Sequence, residues 1–424
     1  MYIRIKENKI INGAIAASVK FMDDNKIFLF MNNAVPLLMA LFLLLIPFTQ
    51  HSAIKEICIY SSILFAIILT LGKKSDFSFS SPLTLGFVMF LLWAILGLPF
   101  ALNKPNSIHD IYAHLLKYMA IYYLIVNFFC SRKRLLILTW IMTAAGTIYC
   151  IWYVSYFYLY LGNDISDRMV LYPYRDYIYV FSFLLAVNHF FRQKKWLMRV
   201  IPLICLFSTL TATLLSQTRN ALLAIVLGLC VYCFKYKKAA ILILLTIVIV
   251  ILFTPGSKKR FDFNRLMDNE RTAINLTTIE IVKDYPIFGI GFGMQTYGYK
   301  EYIDLQSYLM KIPKKYQHHG TIGSPHNLLA DTCVRTGLIG LGLFLFIMIC
   351  YVRMGFIMIK KAEDNFIKDW GLCFLACFAG FFAQSMFGDA AFGLQAIVFY
   401  TILAMMTILW RIEPGGPDQT SLYS

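Results

Sequence analysis

The sequence is poor in charged residues. Asp, Glu, Lys and Arg make up only 15% of its 424 residues, whereas soluble globular proteins carry about 25%. Hydrophobic residues reach 59%, and the mean hydropathy is +0.65. Apolar runs of roughly 20 residues recur along the chain, and each is long enough to cross about 30 Å of hydrocarbon. These features exclude an ordinary soluble enzyme and predict an all-α, polytopic membrane protein.

Metal-binding motifs are missing as well. There is no HExxH, the predicted outer loops contain no DxD, and the neighbours His318 and His319 stand alone. All ten cysteines lie within or at the edge of apolar segments. The CxxC formed by Cys230 and Cys233 has no second pair or histidine beside it, so we predict that the cysteines are small packing residues. The sequence therefore predicts neither a metal site nor another cofactor.

A cleavable signal peptide is not evident, because the first residues are basic and polar and the first apolar run continues to full spanning length. Hydropathy windows predict twelve spans, at 28–47, 54–71, 82–102, 112–130, 135–161, 173–191, 196–215, 219–234, 239–254, 328–352, 369–387 and 390–411. The predicted organisation is a cytoplasmic segment at 1–27, spans one to nine within 28–254, a large loop at 255–325, spans ten to twelve within 326–411 and a tail at 412–424.

The net charge of +16 follows the predicted topology. Lys and Arg are concentrated in alternate short loops, such as "SRKR", "RQKKWLMR" and "KYKK", and the loops between them hold few. The positive-inside rule places the basic loops and both termini in the cytoplasm. Because a basic surface facing anionic lipid accounts for this charge, we predict membrane lipids as partners and no nucleic acid.

One predicted loop is far longer than the others. Residues 255–325 contain no spanning stretch and lie, by parity, on the outer face. Loops of this length are usually functional or contain structure of their own. "NRLMDNERTAINLTTIEIVKDYP" predicts a helix with Ile274 and Ile281 on one face and Pro286 as its stop. The following "FGIGFGMQTYGYKEYI" is rich in turn residues, and its GxGxG lacks the strand and helix that a dinucleotide site requires.

Of the arginines at the predicted outer face, which run against the topological bias, four are candidates for a functional site. Arg219 is the only basic residue of the short loop "SQTRN" between two apolar spans. It either snorkels to the interface or binds an anion, because a guanidinium holds phosphate oxygens in a bidentate fork. Arg271 lies in the long loop, where a solvated arginine is the simpler interpretation. The same alternatives apply to Arg168 and Arg175, which precede the sixth span.

The stretch "SPHNLLADTCVRTGLIG" brings polar residues to the start of the tenth span. If residues 326–336 are helical, Asp331 and Arg335 lie one turn apart and can form a structural ion pair. Pro325 suits a helix start, and the positive end of that helix favours a neutral imidazole at His326. His326 is then either a lone structural histidine or a group fitted to accept a proton.

Three stretches together resemble the O-antigen ligase family. "HNLLADTCVRTGLIG" fits its pattern of His, then Asn, Ser or Gln, nine residues, Gly, two residues, and Gly, Thr or Tyr, here at His326, Asn327, Gly337 and Gly340. "LLSQTRNALLA" is similar to the family's Gln-Thr-Arg at the outer end of a span. "RTAINLTTIEIVKDYPIFGIGFGMQTY" resembles part of the periplasmic loop that O-antigen ligases and polymerases share. One departure is Ile274, where many relatives carry Trp.

The resemblance implies a GT-C-type glycosyltransferase with about twelve helices, located in the bacterial inner membrane with its active site facing the periplasm. Such enzymes move a glycan from undecaprenyl pyrophosphate to an acceptor hydroxyl without a metal. In a ligase the acceptor is lipid A–core, and in-line attack predicts inversion at the anomeric carbon. The implied catalytic residues are Arg219 and Arg271, on the pyrophosphate, and His326, as general base. Substrate binding is further predicted at Asn327, Arg175 and Arg168.

Two other functions remain open from the sequence. An O-antigen polymerase shares the fold and the arginines, but the histidine pattern favours a ligase. A secondary transporter or lipid flippase would show paired ionisable residues at mid-membrane and broken helices at repeated positions. The predicted spans are nearly free of charge at mid-depth, and the two halves of the chain show no repeat.

Overall fold

The computed structural model describes residues 26–165, 167–169, 176–237, 245, 248, 269–318, 323–388, 393 and 395–413. Within these residues the chain is helical, and no β-strand occurs. The principal helices in chain order are α1 (Lys26–Leu45), α2 (Ser52–Leu71), α3 (Thr84–Leu96), α4 (Lys104–Phe128), α5 (Arg132–Tyr160), α6 (Asp176–Arg192), α7 (Trp196–Leu215), α8 (Arg219–Tyr232), α9 (Asn269–Asp284), α10 (Leu305–Leu309), α11 (Leu328–Lys361), α12 (Asn365–Ser385) and α13 (Ala396–Ile412).

Seven helices among the described residues are long and apolar enough to cross a membrane, namely α1, α2, α4, α5, α7, α11 and α12. Shorter apolar helices include α8 and α13. The prediction of a polytopic all-helical membrane protein is therefore confirmed. The predicted ninth span, 239–254, lies outside the described residues except at positions 245 and 248. The count of twelve spans stays a prediction.

Helix α4 begins eight residues before the span predicted at 112–130. Its first turn is polar, so a hydropathy window does not detect it. Asn103 caps this turn, because its side-chain oxygen accepts a hydrogen bond from the Asn106 amide at 3.1 Å, and Pro105 stands inside the first turn, where its missing N–H costs nothing. The backbone then widens into a π-helical segment at Ile111–Leu116.

Helix α12 packs against α6 and α8, and both run antiparallel to it. A Cβ atom at Gly228 would lie 3.2 Å from the Ala376 carbonyl oxygen, and one at Gly380 would lie 3.1 Å from that of Ala224. Glycines at these points let the α8 and α12 backbones approach closely, as small residues do between membrane helices. This antiparallel register brings the first turn of α8 level with the last turn of α12.

Helix α11 is interrupted at Gly337, where φ is 70° and ψ is −176°. The chain just after α9 fills the gap in the helical ladder. The Leu338 amide donates to the Pro286 carbonyl (2.8 Å), and the Ile290 amide donates to the Val334 carbonyl (2.9 Å). The segment 286–295, which we call the clasp loop, therefore replaces the intrahelical hydrogen bonds that the kink removes.

The other side of the clasp loop is held by the start of α4. The Met294 amide donates to the buried Asp110 carboxylate (2.6 Å), the Gly293 amide to the Ser107 hydroxyl (3.1 Å) and the Gln295 amide to the Asn106 side-chain oxygen (3.1 Å). The clasp loop thus ties α4 to α11, and α9 leads directly into it.

Candidate active site

The turn that follows α12, Met386–Gly388, is the point where the candidate residues meet. The Arg271 guanidinium of α9 lies over the Phe387 ring, 4.9 Å from its centroid. The Asn327 side-chain amide donates to the Met386 carbonyl at 3.3 Å. Two segments that are more than 50 residues apart in sequence, one with Arg271 and the other with His326 and Asn327, therefore contact the same short turn.

Arg219 lies at the same end of α12. It is the first residue of α8, and the antiparallel register places it level with Ser385, the last residue of α12. The Arg219 side chain is half-buried, and the N-terminal end of α8 adds the positive pole of a helix beside the guanidinium. The first turn of α8 thus presents positive charge at the turn that Arg271 and Asn327 contact.

Arg168 is brought to the loop that precedes Arg219. Its Nε donates to the Ser216 carbonyl at 3.0 Å, and the adjacent Met169 amide donates to the Leu215 carbonyl at 3.1 Å. The Arg168 side chain is exposed. Arg175, the fourth arginine predicted from the sequence, lies outside the described residues.

His326 lies outside helix α11, contrary to the expectation that it forms part of the first helical turn. The helix begins at Leu328, because Asn327 is the N-cap: its side-chain oxygen accepts from the amides of Leu329 (3.0 Å) and Ala330 (3.1 Å). Asn is a strong N-cap residue, so the helix starts after Asn327 rather than after Pro325. The exposed His326 adopts a left-handed backbone conformation, with φ at 48°.

Left-handed residues other than glycine are few in the described part of the chain, namely Lys73, Gln217 and His326. Two of these three border the candidate site, since Gln217 lies two residues before Arg219. Such conformations are costly and tend to persist where the surrounding structure fixes a functional geometry. The backbone is thus held in an unusual conformation at Gln217, shortly before Arg219, and at His326, directly before Asn327.

The predicted pair of Asp331 and Arg335 is confirmed. Arg335 Nε donates to the Asp331 carboxylate at 2.6 Å, and both side chains are almost fully buried. A buried guanidinium needs such a partner. Arg335 also donates to the Phe292 carbonyl of the clasp loop (3.4 Å), so the pair has a structural role in holding α11 against that loop.

The polar cluster at the start of α4 was not predicted from the sequence. The Asp110 carboxylate lies 2.8 Å from His109 Nδ1 and 3.6 Å from His114 Nε2, in addition to its bond with the clasp loop. In the sequence, Asp110 has one histidine next to it and another four residues later. This spacing is typical of an ordinary helix face, so the cluster can be recognised only when the clasp loop is known to pack on it. Among the described residues, no three His, Cys, Asp or Glu side chains are grouped so that they could hold a metal ion.

Comparison with known families identifies the segment that carries most of this site. Residues 203–345 match the family model described as O-Antigen ligase. This segment is therefore similar to an O-antigen ligase domain. It covers about a third of the chain, from α7 into α11, and includes Arg219, Arg271 and His326. The chain gives no match to curated protein sequences. The O-antigen ligase assignment, with the membrane helices, implies a membrane glycosyltransferase-like enzyme that uses a lipid-linked glycan.

Proposed function

We propose that the protein is an O-antigen ligase that transfers O-antigen polysaccharide from undecaprenyl pyrophosphate to lipid A–core on the periplasmic side of the inner membrane. One observation carries this proposal: the elements bearing Arg219, Arg271 and His326 meet at the turn after α12. These elements are distant in sequence, and all three fall within the O-antigen ligase domain.

Arg219 and Arg271 bind the donor pyrophosphate. The diphosphate carries several anionic oxygens, and a guanidinium engages two of them at once. When the bond between the anomeric carbon and the phosphate oxygen breaks, negative charge grows on the leaving diphosphate, and the two guanidinium groups stabilise it. Removing one such group typically lowers the rate by about 10²–10³. Arg168, which contacts the loop before Arg219, adds positive charge for substrate binding, and Arg175 is proposed to bind substrate as well.

His326 is the general base of the transfer. The acceptor hydroxyl of lipid A–core gives its proton to the His326 imidazole as its oxygen forms a bond to the anomeric carbon. The leaving group is undecaprenyl pyrophosphate, and attack from the opposite face inverts the anomeric carbon. General-base catalysis of this kind contributes about 10²–10⁴ in rate. Asn327 fixes the backbone next to the base through its cap and its bond to Met386.

The proposed reaction needs no divalent metal, because the guanidinium groups supply the positive charge at the leaving group. Purified enzyme in lipid nanodiscs should therefore retain its transfer rate in EDTA. Loss of transfer that Mg²⁺ restores would contradict this part of the proposal.

The acceptor is tested by deleting the gene and examining lipopolysaccharide on a gel. A ligase deletion leaves a bare core and accumulates lipid-linked polymer, which complementation with the intact chain reverses. Complementation with Arg219→Ala or Arg271→Ala should fail although the protein is present in the membrane. A core capped by a single repeat unit in the deletion strain would show instead that the chain is an O-antigen polymerase.

A further inference from the structure

A buried amide stands directly beside the candidate site. Gln384 belongs to the last turn of α12, and its side chain is 0% exposed. Within the part of the chain that the structure describes, neither its oxygen nor its nitrogen has a hydrogen-bond partner. Leaving a buried amide unsatisfied is costly, and such groups are rare in folded proteins. The presence of a glutamine at this position therefore needs an explanation other than packing.

The helix geometry places the Gln384 side chain between α6 and α8. Gln384 follows Gly380 by one turn and so shares its face of α12. That face is turned to both neighbours, since a Cβ atom at Gly380 would lie 3.0 Å from Leu184 of α6 and 3.1 Å from the Ala224 carbonyl of α8. One turn further along, the antiparallel register brings Gln384 level with Asn220, the residue after Arg219.

The chemistry of an amide limits what can bind there. The side-chain NH₂ donates hydrogen bonds and the side-chain oxygen accepts them, so the ligand must offer an acceptor and a donor close together. An ionised diphosphate offers acceptors alone. The first sugar attached to a diphosphate offers both, because a phosphoryl oxygen lies beside a sugar hydroxyl or acetamido N–H.

We propose that Gln384 binds the junction between the diphosphate and the first sugar of the lipid-linked donor. Its NH₂ group donates to a phosphoryl oxygen, and its side-chain oxygen accepts from a hydroxyl or N–H of the sugar. This inference rests on the proposed glycosyl transfer and adds a means of telling donor from product. After transfer the lipid diphosphate has lost its sugar, so the Gln384 oxygen loses its partner and the product binds more weakly.

The test compares two apolar variants. Gln384→Met keeps the length and unbranched shape of the side chain and removes both polar atoms. The matched control is Asn188→Leu, because Asn188 is also 0% exposed and also has no hydrogen-bond partner on either amide atom among the described residues. Asn188 lies on α6 near His189, whose ring contacts Trp370 in the first half of α12, so it belongs to the opposite end of the same helix pair.

Binding is measured with the full chain in nanodiscs, using two probes: undecaprenyl diphosphate, and undecaprenyl diphosphate carrying one N-acetylglucosamine. The intact protein and Asn188→Leu should bind the sugar-bearing probe about tenfold more tightly than the bare one. Gln384→Met should bind the sugar-bearing probe about 10- to 100-fold more weakly than the intact protein and lose the preference. Its Tm without ligand should stay equal or rise, since an unsatisfied polar group has been removed.

Two results for the Gln384→Met variant would overturn the inference, and a third concerns the intact protein. The first is a Gln384→Met variant that keeps the preference for the sugar-bearing probe. The second is a Tm that falls well below that of Asn188→Leu, because the amide would then be bonded within the protein. If the intact protein binds neither probe, while its membrane level is normal, the proposed glycosyl transfer itself is wrong. A protein that binds both probes equally well leaves the glycosyl transfer standing and removes only the role of Gln384.

Discussion

His326 combines an exposed imidazole with a left-handed backbone, so a substitution there can act through either property. Asn is among the residues that adopt this conformation most readily, and it lacks a group that can accept a proton at neutral pH. We predict that His326→Asn keeps donor binding and thermal stability near those of the intact protein and lowers transfer by about 10²–10⁴. Transfer is measured in nanodiscs with saturating lipid-linked donor.

His326→Ala is the companion variant. It removes the same base but places alanine at a φ of 48°, so it should lose transfer equally and also lose some stability. Transfer near the level of the intact protein in His326→Asn would remove the general-base role.

Phe387 orients the Arg271 guanidinium through its ring face, at 4.9 Å. Cation–π contacts at partly exposed sites are worth about 0.5–1 kcal/mol, which corresponds to a few-fold change in binding. We predict that Phe387→Leu raises the KM for the lipid-linked donor about two- to fivefold and changes kcat little, whereas Phe387→Tyr retains the KM. A fall in kcat with an unchanged KM would show that the ring does not act by placing Arg271 for donor binding.

At the scale of elements, the kink of α11 depends on Gly337. Its φ and ψ, 70° and −176°, fall in a region that is essentially restricted to glycine, and a Cβ atom there would lie 1.9 Å from the Ile287 carbonyl oxygen. We predict that Gly337→Ala displaces the clasp loop from α11 and costs at least about 3 kcal/mol, which thermal unfolding in detergent would detect as a large fall in Tm.

Gly342, on the same helix, is the control for this variant. No described atom lies within 4 Å of the Cβ that alanine would add there. Gly342→Ala should leave the Tm unchanged or raise it, since alanine favours a helix interior by about 0.5–1 kcal/mol. Equal Tm values for the two variants would contradict the role of the clasp loop.

The sequence predicts helices well where they are apolar or where a residue such as proline marks their end. It predicts polar helical turns less well. The α9 helix was predicted with Ile274 and Ile281 on one face, and the structure buries both. Pro286 was predicted as its stop, and α9 ends two residues earlier, at Asp284. The polar first turn of α4 was missed by the hydropathy window. The window placed the start of α11 correctly at 328, whereas the helical turn considered from His326 was wrong, because Asn327 caps the helix.

The residues of the candidate site are also only partly predictable from the sequence. Arg219, Arg271 and His326 can be selected from sequence, because charge at a predicted membrane boundary is unusual and because a family pattern marks them. Phe387 and Gln384 cannot, since an aromatic or amide residue near the end of an apolar helix carries no comparable signal. Their roles depend on which chain segments pack against the end of α12, and that packing involves contacts between residues more than 50 positions apart.

At the scale of the whole molecule, the two ends of α12 carry different sets of contacts. At the first end, Asp369 pairs with Arg192 (3.3 Å) and with Lys235, and Asp364 pairs with Arg132 at 2.6 Å. At the other end, the Arg271 guanidinium lies over the Phe387 ring, and Arg168 donates to the Ser216 carbonyl oxygen. In the proposed function, the arginines of this second end bind the anionic donor.

The membrane orientation is a decisive test of the proposed site. The predicted topology puts the candidate site in the periplasm and Cys130, which is exposed beside the basic loop before α5, in the cytoplasm. We predict that a membrane-impermeant maleimide labels an exposed cysteine introduced as Lys300→Cys, in a Cys130→Ser background, in intact cells. Cys130 of the unmodified chain should react only after the cells are permeabilised, and the Cys130→Ser variant alone gives the background.

The opposite labelling pattern would place Arg271 and His326 in the cytoplasm. Lipid-linked O-antigen is proposed to reach the enzyme from the periplasmic leaflet, so a cytoplasmic site could not contact that donor. The same pattern would also put the Asp364 end of α12 and the short basic loops on the outer face, which would break the positive-inside rule. Because the charge distribution and the proposed reaction require the same orientation, one labelling experiment tests both.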